Sequence, residues 1–180
     1  MLVSAAQSML LLVDVQERLA PAVADRDACL KRCRRLIEAA RRLDVPVLAS
    51  EQYPKGLGPT VAELRELLEP AEIHAKTHFS CAADPGLAAA LRGLGRSQIV
   101  ICGMEAHVCV LQSALGLKRE GFEPAVVADA VASRDPANRT LALERLRANA
   151  VEIVSSEMIL FEWLGEAGTP EFKAVIPLIK

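Results

Sequence analysis

The stretch GMEAHVCV (103–110) sets a cysteine where an apolar run, QIVIC, hands the chain to a helix-like segment, LQSALGLKREG. A thiol at a helix N-terminus is a candidate nucleophile, because the unpaired amides and the positive end of the helix dipole favour its thiolate. Two charged residues occupy equivalent places: Asp14 ends the run MLLLV, and Lys76 ends EIHA. In an open α/β sheet the carboxyl ends of the strands converge on one edge, so residues remote in sequence meet there. An acid, a base and a thiol are then a working set. Lys76 and the helix N-terminus favour the Cys109 thiolate, and Asp14 takes the thiol proton and passes it to a leaving nitrogen while the lysine holds the carboxylate. Amides in the turn before Cys109 point outward without helical partners, as an oxyanion hole requires. Taken singly, each residue has a plainer use: Asp as a helix cap, Lys facing solvent, Cys as core filler. Their joint occurrence at strand ends is what points to catalysis.

The elements that must position them follow from hydrophobic periodicity. Short apolar runs at 9–15, 45–50, 72–76, 98–104, 124–131 and 151–156 alternate with helical patterns at 27–43, 60–68, 85–93, 107–120, 136–148, 156–164 and 170–178. Strands that lack strict two-residue alternation and are separated by amphipathic helices indicate a parallel sheet covered on both faces. The expected fold is an α/β class, three-layer α/β/α sandwich: a Rossmann-like, mostly parallel sheet of about six strands, with 1–180 forming one domain. The longest irregular insert is EQYPKGLGPT (51–60), directly after the second strand, where loops line the ligand crevice.

Composition excludes several function classes. A formal charge of -2 with no run of five like charges gives no electrostatic case for nucleic acid or an anionic membrane surface. Met1 to Gln7 lacks a basic region followed by a long apolar core, and no apolar run approaches the roughly 18 residues of a membrane span, so a cytoplasmic protein is expected. Five cysteines, an odd number without CxxC spacing, argue against a disulfide framework or structural zinc and leave room for one reactive thiol. Cys29 and Cys33 repeat with Leu30, Leu36, Ile37 and Ala40 on one helix face and read as core. His74 and His78 flank Lys76 without a third ligand at a supporting spacing, so no metal and no cofactor are expected.

Four motifs in order, LLLVDVQERL (10–19), AKTHFS (75–80), GMEAHVCV (103–110) and VVADAVASRD (126–135), resemble those of the isochorismatase-like cysteine hydrolases. SEQYPKGLGPTV (50–61) and FKAVIPLIK (172–180) are similar to segments of the isochorismatase domain-containing proteins in that superfamily. The resemblance implies an Asp-Lys-Cys triad at Asp14, Lys76 and Cys109. It also implies a cis peptide at Met104–Glu105, with the Glu105 and Cys109 amides as the oxyanion hole. Nicotinamidases in the superfamily hold a metal with an Asp-x-His pair, where this chain has Glu51, Gln52, Tyr53 and Pro54, so no catalytic metal carries over. Ala106 stands where many relatives have threonine.

Around the triad, Gln16 either faces the pocket or caps a helix, and Gln52, in the 51–60 insert, is a further candidate for the pocket. Tyr53 closes the pocket from the 51–60 loop, and Phe79 forms an apolar wall or fills core. With 3% aromatic residues, a ring-stacking cage would have to draw on Phe79, Tyr53 or Trp163. Asp129 reads as structural. The expected activity is hydrolysis of a small C–N bonded substrate through a covalent Cys109 intermediate. The alternatives are vinyl-ether hydrolysis with Asp14 as acid, or a non-catalytic binding or scaffold role. The partner is a small molecule, and the resemblance implies a homodimer or larger homo-oligomer, to which the apolar tail MILFEWL and VIPLI adds a hint.

Overall fold

The computed structural model describes residues 2–179; Met1 and Lys180, the first residue of the 1–7 segment and the last of FKAVIPLIK, lie outside the described residues. Six parallel strands run in the order β3-β2-β1-β4-β5-β6: β1 (Ser8–Val13), β2 (Val47–Gln52), β3 (Ile73–Lys76), β4 (Gln98–Met104), β5 (Glu123–Ala132) and β6 (Glu152–Val154). The order reverses between β1 and β4, which opens a crevice at their carboxyl ends.

Each strand side chain goes to one of two cores. Leu10 and Leu12 of β1 face α1 (Arg26–Arg42), α3 (Ala62–Arg65), which follows the single turn α2 (Pro54–Leu57), and the terminal helices α7 (Ser156–Leu164) and α8 (Pro170–Val175). Met9, Leu11 and Val13 face α4 (Pro85–Gly93), α5 (Leu111–Arg119) and α6 (Pro136–Ala148). Burial on both faces explains the continuous apolar runs, since no position on a central strand meets water. Most of the apolar tail is consumed here: Ile159, Leu160, Trp163 and Val175 are core, and Met158 and Phe161 stay exposed.

Among the boundaries that depart from the sequence reading, three have a clear local cause. β1 stops at Val13 because Asp14 takes a positive φ of 50°, turning the chain out of the sheet. β2 runs through Glu51 and Gln52, which pair with β3 in the register Gln52↔Lys76, so the loop insert begins at Tyr53 rather than Glu51. The predicted helix 107–120 opens with a wide π turn, Ala106–Val110, before α5. Gly103 permits the approach of β4 to β1: a Cβ there would stand 2.1 Å from the Val13 carbonyl oxygen, and its φ of +118° suits glycine alone.

Candidate active site

Parallel register brings three strand ends together. Val13 pairs with both Ser50 and Gly103, and Gln52 pairs with Lys76, so the residues just beyond β1, at the end of β3 and after β4 share one edge. At its centre, Lys76 Nζ donates to Asp14 Oδ2 at 2.8 Å, with both side chains wholly buried. The ammonium also donates to Gln52 Oε1 at 2.7 Å and to the Phe79 carbonyl at 3.3 Å. Such saturation is what a buried charge requires, because an unpaired ion in the interior costs several kcal/mol, about 3–5 when one partner is removed. Ser50 Oγ donates to Asp14 Oδ1 at 2.6 Å.

Cys109 completes the set from the π turn. Burial pushes its thiol well above the ordinary range, and the negative charge of the Asp14 carboxylate adds to the rise, while Lys76 opposes it. The expected pull of Lys76 towards the thiolate is present but is not the largest influence. Desolvation is the largest contribution, and in a pocket 6% exposed at Cys109 it outweighs the ammonium. The thiol therefore rests protonated against a carboxylate able to receive its proton. The Met104–Glu105 peptide is cis, and the Glu105 carbonyl accepts from the amides of both Val108 and Val110. The Glu105 carboxylate binds the Arg134 amide at 2.9 Å and its Nε at 3.1 Å, while His107 Nδ1 lies 3.0 Å from Ser133 Oγ. Both contacts tie the turn to the end of β5.

The remaining candidates separate. Gln16 is fully buried and braces the backbone: its Nε2 donates to the Gln52 and Gly58 carbonyls, and its Oε1 accepts from the Gln52 amide. It neither lines open space nor caps a helix. Gln52 holds Lys76 and the Thr77 carbonyl. Tyr53 and Phe79 are 55% and 53% exposed at the rim, so neither packs as core. Trp163 is buried at the other end of the sheet, donating to Ser8 Oγ, and takes no part. A recess of about 380 Å³ beside the ends of β2 and β3, lined by Tyr53, Lys55, Thr77 and Asp84, reaches Lys76. A separate cavity of about 210 Å³, between α1 and β5, includes Arg32 and Arg139 but not Asp14, Lys76 or Cys109.

The residues standing where nicotinamidases hold a metal do not fit one. Glu51 Oε1 already accepts from the Thr60 amide, Thr60 Oγ1 and Arg65 Nη1, so a guanidinium occupies the carboxylate. Among the described residues, no group of three or more His, Cys, Asp and Glu side chains is placed to hold a metal ion. Asp129 binds Arg32 and the Ser156 amide and hydroxyl, joining β5 to α1 and α7, as a structural residue does. Ser50, Cys81, Thr60 and Arg65 escaped the sequence reading. For Ser50 a signal existed, a polar residue closing the apolar run VPVLAS; the others had none.

This sheet, with a buried acid, lysine and thiol at its switch point, defines the class of isochorismatase-like α/β hydrolases. A profile of the isochorismatase domain matches residues 8–158, and the chain belongs to that family. It is 39% identical over 174 residues to isochorismatase domain-containing protein 2 of Danio rerio, covering 96% of this chain and 86% of that protein. To isochorismatase domain-containing protein 1 of the same species it is 41% identical over 178 residues, covering 98% of this chain and 62% of that protein. Among solved structures, the MAR1 ribonuclease from Caenorhabditis elegans superposes with a TM-score of 0.93 at 36% identity, covering 99% of this chain and 92% of that one.

Proposed function

We propose that the protein is a cysteine hydrolase of a small amide or ureide-like substrate, working through a covalent Cys109 intermediate. The observation that carries this reading is the buried Asp14–Lys76 pair, held at 2.8 Å, at the strand edge to which the π turn delivers Cys109. As Cys109 Sγ bonds to the substrate carbonyl carbon, its proton passes to Asp14, so charge is never stranded on a buried sulfur. Negative charge moves to the carbonyl oxygen, where the Glu105 and Cys109 amides stabilise it. Asp14 then protonates the nitrogen, the C–N bond breaks, and ammonia or an amine leaves. Water attacks the thioester, Asp14 takes one of its protons, and that proton returns to sulfur as the S–C bond breaks. The related protein described as a ribonuclease does not transfer its activity to this reading, because a net charge of -2 and a triad buried among strand ends suit a small molecule rather than an RNA backbone.

The test is Cys109→Ala assayed for ammonia release from small amides and ureides and for pyruvate release from isochorismate. The expected result is loss of amide hydrolysis by at least 10³-fold, on the scale of losing a covalent nucleophile. A variant with full amide activity contradicts the reading, and a parent protein that releases pyruvate but no ammonia, with pyruvate release undiminished in Cys109→Ala, supports the Asp14-acid alternative.

A further inference from the structure

A group that takes and returns a proton needs partners that tolerate both of its states. Asp14 Oδ2 faces Lys76, whose ammonium only donates. Oδ1 faces Ser50, which is 1% exposed and donates at 2.6 Å. Behind Ser50 stands the thiol of Cys81, whose Sγ donates to Ser50 Oγ at 3.7 Å and whose backbone amide is fixed by Ser113 Oγ at 2.8 Å, one turn along from Cys109. A hydroxyl both donates and accepts, and a thiol does so weakly, so this side of Asp14 is reversible where the lysine side is not.

We propose that Ser50, backed by Cys81, is a positioning residue that lets Asp14 alternate between proton acceptor and proton donor while Oδ1 stays hydrogen-bonded. In the resting site the Ser50 hydroxyl points at the carboxylate and the Cys81 thiol points at Ser50. When the Cys109 proton arrives on Asp14, the Ser50 hydrogen turns to the Cys81 sulfur and the Ser50 oxygen accepts from the carboxylic acid. Return of the proton to the leaving nitrogen or to sulfur restores the first arrangement. No bond to hydrogen in Ser50 or Cys81 is broken; the two side chains only rotate. Replacement of Ser50 by alanine leaves a buried carboxylate oxygen without its donor, so Asp14 holds the Cys109 proton more tightly. The titratable groups facing Asp14 are Lys76 from β3, Cys109 from the turn after β4 and Cys81 from the segment before α4.

The proposal rests on the reading that Cys109 and Asp14 exchange a proton, and its test needs no substrate. Alkylation of Cys109 by iodoacetamide is followed across pH by peptide mass mapping on the full chain, for the parent and for Ser50→Ala, Ser50→Thr and Cys81→Ala. Because a proton held on Asp14 leaves the sulfur as thiolate, Ser50→Ala is expected to be alkylated at Cys109 about tenfold faster between about pH 6 and 9, the equivalent of about one pH unit in the basicity of Asp14. Ser50→Thr restores the parent profile, and Cys81→Ala moves it the same way by a smaller step. Ser50→Cys, close in shape and a weaker donor, gives an intermediate shift and serves if the alanine variant does not fold. A Ser50→Ala or Ser50→Cys profile that superimposes on the parent overturns the proposal, as does a threonine variant shifted as far as alanine. Full amide hydrolysis by Cys109→Ala would instead overturn the nucleophile reading and leave this titration to be judged alone.

Discussion

At the scale of single residues, the site is governed by the cost of burying charge. Lys76 and Asp14 are both inaccessible, and every other contact of the ammonium is to a neutral oxygen. Removing one partner leaves the other as an uncompensated ion, so Lys76→Met is expected to destabilise the fold by about 3–5 kcal/mol, and the double variant Asp14→Asn/Lys76→Met by less than the sum of the two single changes. Urea unfolding measures both. A Lys76→Met loss within 0.5 kcal/mol of zero would mean the pair is solvated and the site more open than described. That Asp14, Lys76 and Cys109 share one edge was legible in the sequence because each is a polar interruption at the end of an apolar run. Ser50 sits in the same kind of place and was passed over, because a serine is tolerated in strands for many reasons and only the register shows it beside Asp14. The ionisation of Cys109 was not legible at all: a helix end and a lysine favour the thiolate, and only the folded packing shows that desolvation is larger.

At the scale of elements, strand order and helix faces were readable because parallel strands buried on both sides leave unmistakable apolar runs. The ends of elements were less so. β2 gains Glu51 and Gln52 through pairing to β3 and through the Gln16 side chain on the Gln52 backbone, neither of which a local pattern contains. Helix α1 illustrates a consequence of its buried face. Cys29 and Cys33 both donate to the Ala130 carbonyl, and both thiols are raised far above the ordinary range, by their neighbouring thiols first and by burial after that. Folded-state values above the unfolded one contribute stability that is fully present below about pH 8.5 and is lost as pH rises, because the unfolded chain then releases thiol protons that the native chain retains. The slope is about 1.4 kcal/mol per pH unit for each such thiol. Under reducing conditions the urea midpoint should fall steeply between pH 8 and 10, and Cys29→Ala/Cys33→Ala should flatten that fall. Parallel slopes for parent and variant would show that these thiols ionise freely in the folded state.

At the scale of the whole molecule, a sheet whose order reverses between β1 and β4 converts sequence positions 14, 50, 76 and 109 into one cluster, and the 51–60 segment walls it off with a Glu51 carboxylate held by Thr60 and Arg65. Family membership fixes this architecture. The substrate was not legible, because the residues at the rim, Tyr53 and Phe79, are exposed and set no shape that one ligand alone would satisfy. No described helix is long and apolar enough to cross a membrane. The central claim is that hydrolysis passes through sulfur at position 109. Acid quenching during turnover of any amide that the protein hydrolyses, followed by peptide mapping, should reveal the acyl group of that substrate on the peptide carrying Cys109 and on no other cysteine. Steady hydrolysis with Cys109 unmodified at every quench time, and undiminished in Cys109→Ala, would contradict it.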